Sequence, residues 1–305
     1  MTTKTSWQAR ILNLFLRLFI RKYFKQCAAA DSREQLSAFV LEIREILKKY
    51  RFPLPVDAHV EDISIDGLPA KWVYSHKLST ENIILYFHGG GYSIGSADSY
   101  HEFAYQISKA CESRVLLVDY RLCPENALTC ASEDALKAYQ WLYKNIIDPK
   151  HIIFAGDSAG GGLALGTIAK LKDMDLPLPK AVVGLSPWTD LLLTGESLIK
   201  NQKCDPCVVL PQKLFLFEDI DLSHPYVSPL YADFKGFPPI YLQTSNIEIL
   251  LDDSLRLAEK ARQAGVPVTI DIFENMPHCW QFFSKYLPEG KKALQKIGEF
   301  IANLP

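Results

Sequence analysis

The sequence lacks an excess of either charge: 33 lysines and arginines stand against 35 aspartates and glutamates, a formal net charge of -2. A chain so balanced has little basic surface to neutralise phosphates, which argues against nucleic acid as a partner. It also lacks a membrane-spanning run. Arg17 interrupts the apolar stretch at residues 11–19, far short of the ~20 residues a bilayer core requires, and no small-residue cleavage site clearly follows as in a secretory signal. The seven cysteines are odd in number and follow no repeating spacing. That indicates no disulfide framework, and reduced thiols in a cytoplasmic protein are the simplest account. Cys204-Asp205-Pro206-Cys207 has C-x-x-C spacing but no second cysteine or histidine pair nearby, so a zinc or redox site lacks its other half. Gly/Ser linkers, internal repeats and low-complexity segments are absent too, leaving nothing to divide the chain by composition.

What is there is 305 residues, 48% hydrophobic and 22% charged, enough to bury a sizeable core in one large domain. Strand-like runs occur at residues 60–65, 71–75, 83–87, 115–119, 152–155, 181–185, 240–244 and 268–273. From the third onward they alternate with helical stretches. This alternation predicts an α/β fold, a mostly parallel central sheet with helices on both faces, its first two strands pairing as an antiparallel start. Residues 1–50 and 190–225 lie outside that rhythm.

Gly156-Asp157-Ser158-Ala159-Gly160 follows the apolar run at 151–155 and precedes a helix-forming stretch at 163–172. A strand, a sharp turn and a helix result, with Ser158 at the apex. The flanking glycines let strand and helix backbones approach closely, and the serine hydroxyl stands above the sheet at the positive end of a helix dipole. A second motif, His88-Gly89-Gly90-Gly91-Tyr92, follows the buried strand at 83–87. Three glycines leave backbone N–H groups uncovered, as an oxyanion hole requires, and the pairing of such a loop with a serine elbow is the lipase and esterase pattern. Gly89, Gly90 and Ala159 are the expected donors. His88, beside the donor loop, is expected to fix that loop by hydrogen bonding, with Asp157 supporting the elbow.

The general base is then expected later in the chain. His278 follows the last strand and a stiffening Pro277, a position from which a loop histidine reaches a serine hydroxyl. His59, His76 and His101 read as surface or packing residues, and His151 and His224 lack acidic company. For the acid, Glu248 stands in the loop after the strand at 240–244, ahead of an amphipathic helix at 252–264. Asp252 is the alternative, although it and Asp253 have a structural explanation as first-turn residues that cap a helix and complement its dipole.

These motifs resemble the hormone-sensitive-lipase family of α/β-hydrolases, bacterial carboxylesterases with an HGGG loop and a GDSAGG elbow. The resemblance covers most of the chain from about residue 60 to the end. Asp119-Tyr120-Arg121-Leu122-Cys123-Pro124-Glu125 is similar to the family's DYRLAPE segment, Ser186-Pro187-Trp188 to its SPW turn, and Asp205-Pro206 to a DP that follows. Many members carry an aspartate followed by Pro-Leu thirty residues before the histidine; here Glu248 stands thirty before His278 and is followed by Ile249-Leu250. Cys123 replaces the usual alanine, a small packing swap, and Ala127-Leu128-Thr129-Cys130 replaces a proline-rich stretch. The resemblance implies an α/β-hydrolase fold with a helical cap formed by residues 1–50, a catalytic domain at 51–305 with 190–225 contributing to the cap, and no metal or organic cofactor.

The first helix-forming segment, residues 7–25, gathers Arg10, Asn13, Arg17, Arg21 and Lys25 on one face, with Ile11, Leu12, Leu14, Phe15, Leu18 and Phe19 over much of the rest. Two readings follow. As a cap helix its apolar side packs on Leu36, Phe39, Ile43 and Leu47; as an interfacial helix the same side dips into lipid beneath a basic flank. The sequence therefore reads as a serine carboxylesterase for short to medium acyl esters: Ser158 the nucleophile, His278 the base, Glu248 the acid, with Tyr92 and Trp188 against the substrate. The alternatives are lipid, lactone or amide hydrolysis on the same triad, or a non-catalytic ligand-binding member of the fold. The expected partner is a small-molecule ester and not a nucleic acid; peripheral membrane contact through residues 7–25, and homodimerisation, stay open.

Overall fold

Side-chain alternation of period two decides how the central sheet is buried. The computed structural model describes residues 5–49, 53–209, 214–218 and 220–305; the remaining positions of the 1–50 and 190–225 segments lie outside the described residues. Eight strands form one sheet: β1 (Ala58–Ile65), β2 (Leu68–Ser75), β3 (Ile83–Phe87), β4 (Arg114–Val118), β5 (Ile152–Asp157), β6 (Ala181–Leu185), β7 (Ile240–Ser245) and β8 (Val268–Phe273). Their spatial order is β1-β2-β4-β3-β5-β6-β7-β8. β1 and β2 form the antiparallel start, joined through Asp66 and Gly67 at φ 48 and 87, the positive values that a two-residue hairpin turn demands. β2 also runs antiparallel to β4, and every pairing from β4 and β3 onward to β8 is parallel.

The helices are α1 (Trp7–Phe15), continued by a π-turn at Leu16–Ile20 into α2 (Arg21–Ala28), then α3 (Arg33–Leu47), α4 (Ala97–Cys111), α5 (Leu128–Asn145), α6 (Ala159–Asp173), the short α7 (Ser197–Lys200), α8 (Leu251–Gln263) and α9 (Pro288–Ala302). On one face of the sheet Leu85, Phe87, Leu116 and Phe154 pack with Tyr139 of α5, Leu163 of α6 and Leu257 of α8. On the other, Ile84, Tyr86, Val115 and Ile153 pack with Phe103 and Ile107 of α4 and Ile297 of α9. Adjacent residues of β3 thus serve opposite cores, so the strand reads as a continuous apolar run. Because β3, β5, β7 and β8 are parallel, the loops after Phe87, Asp157, Ser245 and Phe273 leave the sheet at one edge, where open α/β sheets place their ligands.

The expected packing of residues 7–25 on Leu36, Phe39, Ile43 and Leu47 is corrected. Ala9 and Leu12 instead pack with Met276, Trp280, Leu287 and Ala293, while α3 seats Val40 and Leu36 on the larger core. Polar groups account for the orientation: Asn13 donates to the Asn275 carbonyl, Arg17 to that of Cys204 and Arg21 to that of Asp205. Among the described residues no helix is long and apolar enough to cross a membrane.

Candidate active site

Ser158 adopts φ 50 and ψ -120, a conformation that stores strain in a non-glycine residue. Its N–H donates to the Leu185 carbonyl at 2.9 Å, and its own carbonyl accepts from Trp188 N at 2.8 Å, so β6 and the Ser186-Pro187-Trp188 turn brace the elbow. A Cβ on Gly160 would drive into the Phe87 carbonyl, and one on Gly156 into Gly160; only hydrogen at these positions lets α6 start directly over β3 and β5. α6 therefore begins at Ala159, ahead of the expected 163, with Ser158 as its cap residue. The Ser158 hydroxyl is half-buried and makes no hydrogen bond among the described residues.

The glycine loop is tied to this elbow by Asp157. That buried carboxylate accepts from Tyr86 Oη at 2.8 Å, Tyr100 Oη at 3.0 Å and Gly89 N at 3.0 Å. Burial pushes Asp157 up to about 6, although its three donors pull the other way. The expected donor set is corrected here. The Gly89 N–H is turned to Asp157 and Tyr100, whereas among the described residues the N–H groups of Gly90, Gly91 and Ala159 have no partner. Ala159 is fully buried, where an N–H without a partner is uncommon, and Gly90 and Gly91 are half-buried. His88 lies under the loop: Nδ1 is 2.8 Å from the Gly89 carbonyl, the ring stacks on Tyr120 at 4.3 Å, and the Tyr120 hydroxyl donates to the His88 carbonyl at 2.6 Å. Burial pulls His88 down to about 4, which keeps it neutral.

His278 and Glu248 meet at the same sheet edge. His278 Nδ1 lies 2.8 Å from Glu248 Oε2, and the carboxylate is fully buried. Its other oxygen accepts from Ser186 Oγ at 2.9 Å and Ser245 N at 2.8 Å. Burial alone would lower His278, but the hydrogen bond and charge of Glu248, with Asp205 and Asp157 behind it, carry it above the ordinary imidazole value. Asp252 is elsewhere: its Oδ2 accepts from Ser197 N at 2.8 Å. Asp253 Oδ2 accepts from Thr189 N at 2.7 Å and Asp190 N at 2.8 Å. Both acids thus tie neighbouring segments to α8 and form no side-chain cap on α8 itself, which corrects the capping expectation while leaving their favourable place at the helix's positive end. His151 also departs from expectation, with Glu81 at 3.8 Å, but it precedes β5 while Ser158 follows it.

Tyr92, Trp188 and Phe217 form an aromatic cluster with ring centroids 6.1–6.4 Å apart. Sequence reasoning missed Phe217, whose signal was only an aromatic pair in an irregular segment. It also missed Asp205 as a support: this buried carboxylate accepts from Cys207 N, Val208 N and, at 3.1 Å, Ile249 N beside Glu248. The C-x-x-C spacing thus frames an aspartate that ties loops together, and all seven cysteines are free. Arg44 of α3 was missed as well; it donates to the Ser93 carbonyl at 2.6 Å and to Glu125 at 2.5 Å, fastening the amino-terminal helices to the glycine loop.

Known proteins share this fold. The family model described as alpha/beta hydrolase fold, Abhydrolase_3, matches residues 84–282. An esterase of Acinetobacter venetianus is 35% identical over 258 residues, covering 83% of this chain and 85% of that protein. An acetyl-hydrolase of Streptomyces hygroscopicus is 34% identical over 243 residues, 78% of this chain and 81% of its own length. Among solved structures, an esterase from the bacterial hormone-sensitive lipase family superposes with a TM-score of 0.86 at 35% identity over 99% of both chains. Identity at this level over nearly the whole length, on a common fold, reaches beyond fold likeness to the family itself. The chain belongs to the hormone-sensitive-lipase-like carboxylesterases of the α/β-hydrolase fold.

Proposed function

We propose that Ser158, His278 and Glu248 form the catalytic triad of this carboxylesterase. The observation that carries the reading is the 2.8 Å bond between His278 Nδ1 and a fully buried Glu248, at the sheet edge where Ser158 caps α6. Nδ1 holds its proton toward Glu248, which leaves Nε2 free to accept one. Ser158 Oγ attacks the ester carbonyl carbon as its proton passes to His278 Nε2. The tetrahedral oxyanion is met by the N–H groups of Gly90, Gly91 and Ala159, in place of Gly89. Collapse breaks the bond to the alcohol oxygen, which leaves with the proton from His278. Water, deprotonated by the same imidazole, then attacks the acyl-enzyme, and the acid departs as the proton returns to Ser158. Asp157 and His88 hold the glycine loop in place throughout.

The described residues of the 1–50 and 190–225 segments form the cap in this reading, and those of 51–305 the catalytic domain. The Tyr92, Trp188 and Phe217 cluster supports a short to medium acyl chain, since three rings beside the donor loop fill space a long chain would need. The acetyl-hydrolase relative and the likeness to EstE5, a protein soaked with p-nitrophenyl butyrate and superposing with a TM-score of 0.88 at 34% identity over 97% of this chain and 98% of its own, support the same range. Fluorophosphonate treatment followed by mass spectrometry tests the nucleophile. The label is expected on Ser158, with Ser158→Ala unlabelled and inactive; a label on another serine with Ser158 untouched rejects the assignment. Higher kcat/KM on emulsified long-chain triglycerides than on soluble short esters rejects the substrate range.

A further inference from the structure

The amino-terminal helices turn their large apolar side chains to the outside. Trp7, Ile11, Leu14, Phe15, Leu18 and Phe19 are 48–67% exposed, and their spacing of three and four residues gathers them along one side of α1 and the following π-turn. The inward side is assembled from Ala9 and Leu16, both buried, and from the hydrogen bonds of Asn13, Arg17 and Arg21 to five backbone carbonyls. A helix held to its own protein by polar contacts cannot roll its apolar side inward without breaking them. Six exposed large hydrophobic residues on one surface helix mark an interaction site.

Charge identifies what covers it. Six of the chain's 33 lysines and arginines, and none of its 35 acidic residues, lie in the first thirty positions. Arg10, Lys22 and Lys25 are exposed along α1 and α2, and Glu289, which accepts from Ser6 N at 2.7 Å, is consumed at the start of α1. Pairing this face with the same face of a second copy would bring basic residues against basic residues. An apolar side with a tryptophan at its end, flanked by cations, instead suits the boundary of an anionic bilayer, into which the rings sink while the long basic side chains reach headgroup phosphates.

We infer that α1, the π-turn and α2 dock the protein peripherally on anionic phospholipid surfaces. α1 lies in the plane of the bilayer and does not cross it. The proposal is independent of the triad assignment, because it can be read by binding alone.

Co-sedimentation of the full chain with phosphatidylcholine vesicles, with and without phosphatidylglycerol, tests it. Binding is expected to the phosphatidylglycerol vesicles and to weaken as salt is added. The double variant Leu14→Asp/Leu18→Asp is expected to lose vesicle binding while keeping its kcat/KM on a soluble ester. Lys22→Gln and Lys25→Gln are each expected to weaken it roughly fivefold, the effect of removing one surface cation. Absence of wild-type binding overturns the proposal. So does a wild-type dimer that the Leu14→Asp/Leu18→Asp variant dissolves without any vesicle binding. Equal binding to both vesicle types also overturns it, since the surface recognised would not be anionic.

Discussion

At the scale of single residues, Glu248 and Asp252 were the two acids left open by the sequence, and they do different work. Glu248 contacts the imidazole; Asp252 holds the first residue of α7. Neutralising the first while preserving its shape leaves the imidazole without its ionic partner. Glu248→Gln is expected to lower kcat about ten-thousand-fold, the loss seen when the corresponding carboxylate of a serine protease is neutralised. Glu248→Asp keeps the charge but shortens the arm, so part of the activity is expected to survive. Asp252→Asn is expected to leave kcat intact and cost about 1 kcal/mol of stability, one weakened hydrogen bond. An inactive, folded Asp252→Asn beside an active Glu248→Gln reverses the assignment. A pH profile adds a readout that a structural role would not move. His278 is carried above its ordinary value by Glu248 against the pull of burial. The rising limb of kcat/KM for the wild type is therefore expected above pH 6.5, the imidazole reference. In Glu248→Gln its residual activity is expected to rise at lower pH, because burial is then opposed only by the more distant charges of Asp205 and Asp157.

At the scale of elements, the elbow and the amino-terminal helices show what a sequence pattern discloses. Gly-x-Ser-x-Gly was legible because close backbone approach leaves a residue-type signature. The start of α6 was misjudged by several residues because Gly160, Gly161 and Gly162 have poor helix propensity, which tertiary contact overrides. The orientation of α1 was hidden for another reason: amphipathicity says that a helix has two faces, and not which one hydrogen bonds turn toward the protein. The elbow's tightness gives a direct test. Gly160→Ala places a Cβ against the Phe87 and His88 carbonyls, backbone atoms that cannot step aside, and is expected to cost more than about 3 kcal/mol, at or beyond the upper range for overpacking. Gly67→Ala, with no atom near its Cβ but a positive φ, is expected to cost about 1 kcal/mol. Urea denaturation of the two variants compares them; equal midpoints would mean that contact between α6 and β3 does not limit the elbow.

At the scale of the whole molecule, eight strands were legible from apolar runs, but their order in the sheet was not. β4 lies between β2 and β3, a neighbour relation that no local pattern encodes. Long-range assembly likewise buries carboxyls whose titration couples the entire fold to pH. Asp157 stands at about 6 and Asp253 at about 7, each raised from 3.8 chiefly by burial and only partly pulled back by its N–H and O–H donors. For a carboxyl whose folded value exceeds its unfolded one, the stabilising contribution is complete below the unfolded value and is lost as pH rises through the folded value. His278, also raised, contributes with the same sign. His88, lowered to about 4 by burial, contributes with the opposite sign up to the imidazole reference of about 6.5, but less than the two carboxyls together. Stability measured by urea denaturation is therefore expected to fall from pH 5 to pH 8, while kcat/KM rises as His278 loses its proton. Asp253→Asn separates the two trends. Its carbonyl can keep the Thr189 and Asp190 N–H bonds, and its amide replaces Oδ1, which has no partner among the described residues. The variant is expected to gain stability over the wild type at pH 8, by up to about 4 kcal/mol for a shift of three units, and to show a shallower decline from pH 5. It is expected to keep its catalytic pH profile, since Asp253 does not touch His278. Identical slopes of stability against pH in the two proteins would mean that Asp253 stays ionised in the fold, with burial offset by Thr189, Asp190 and Arg256.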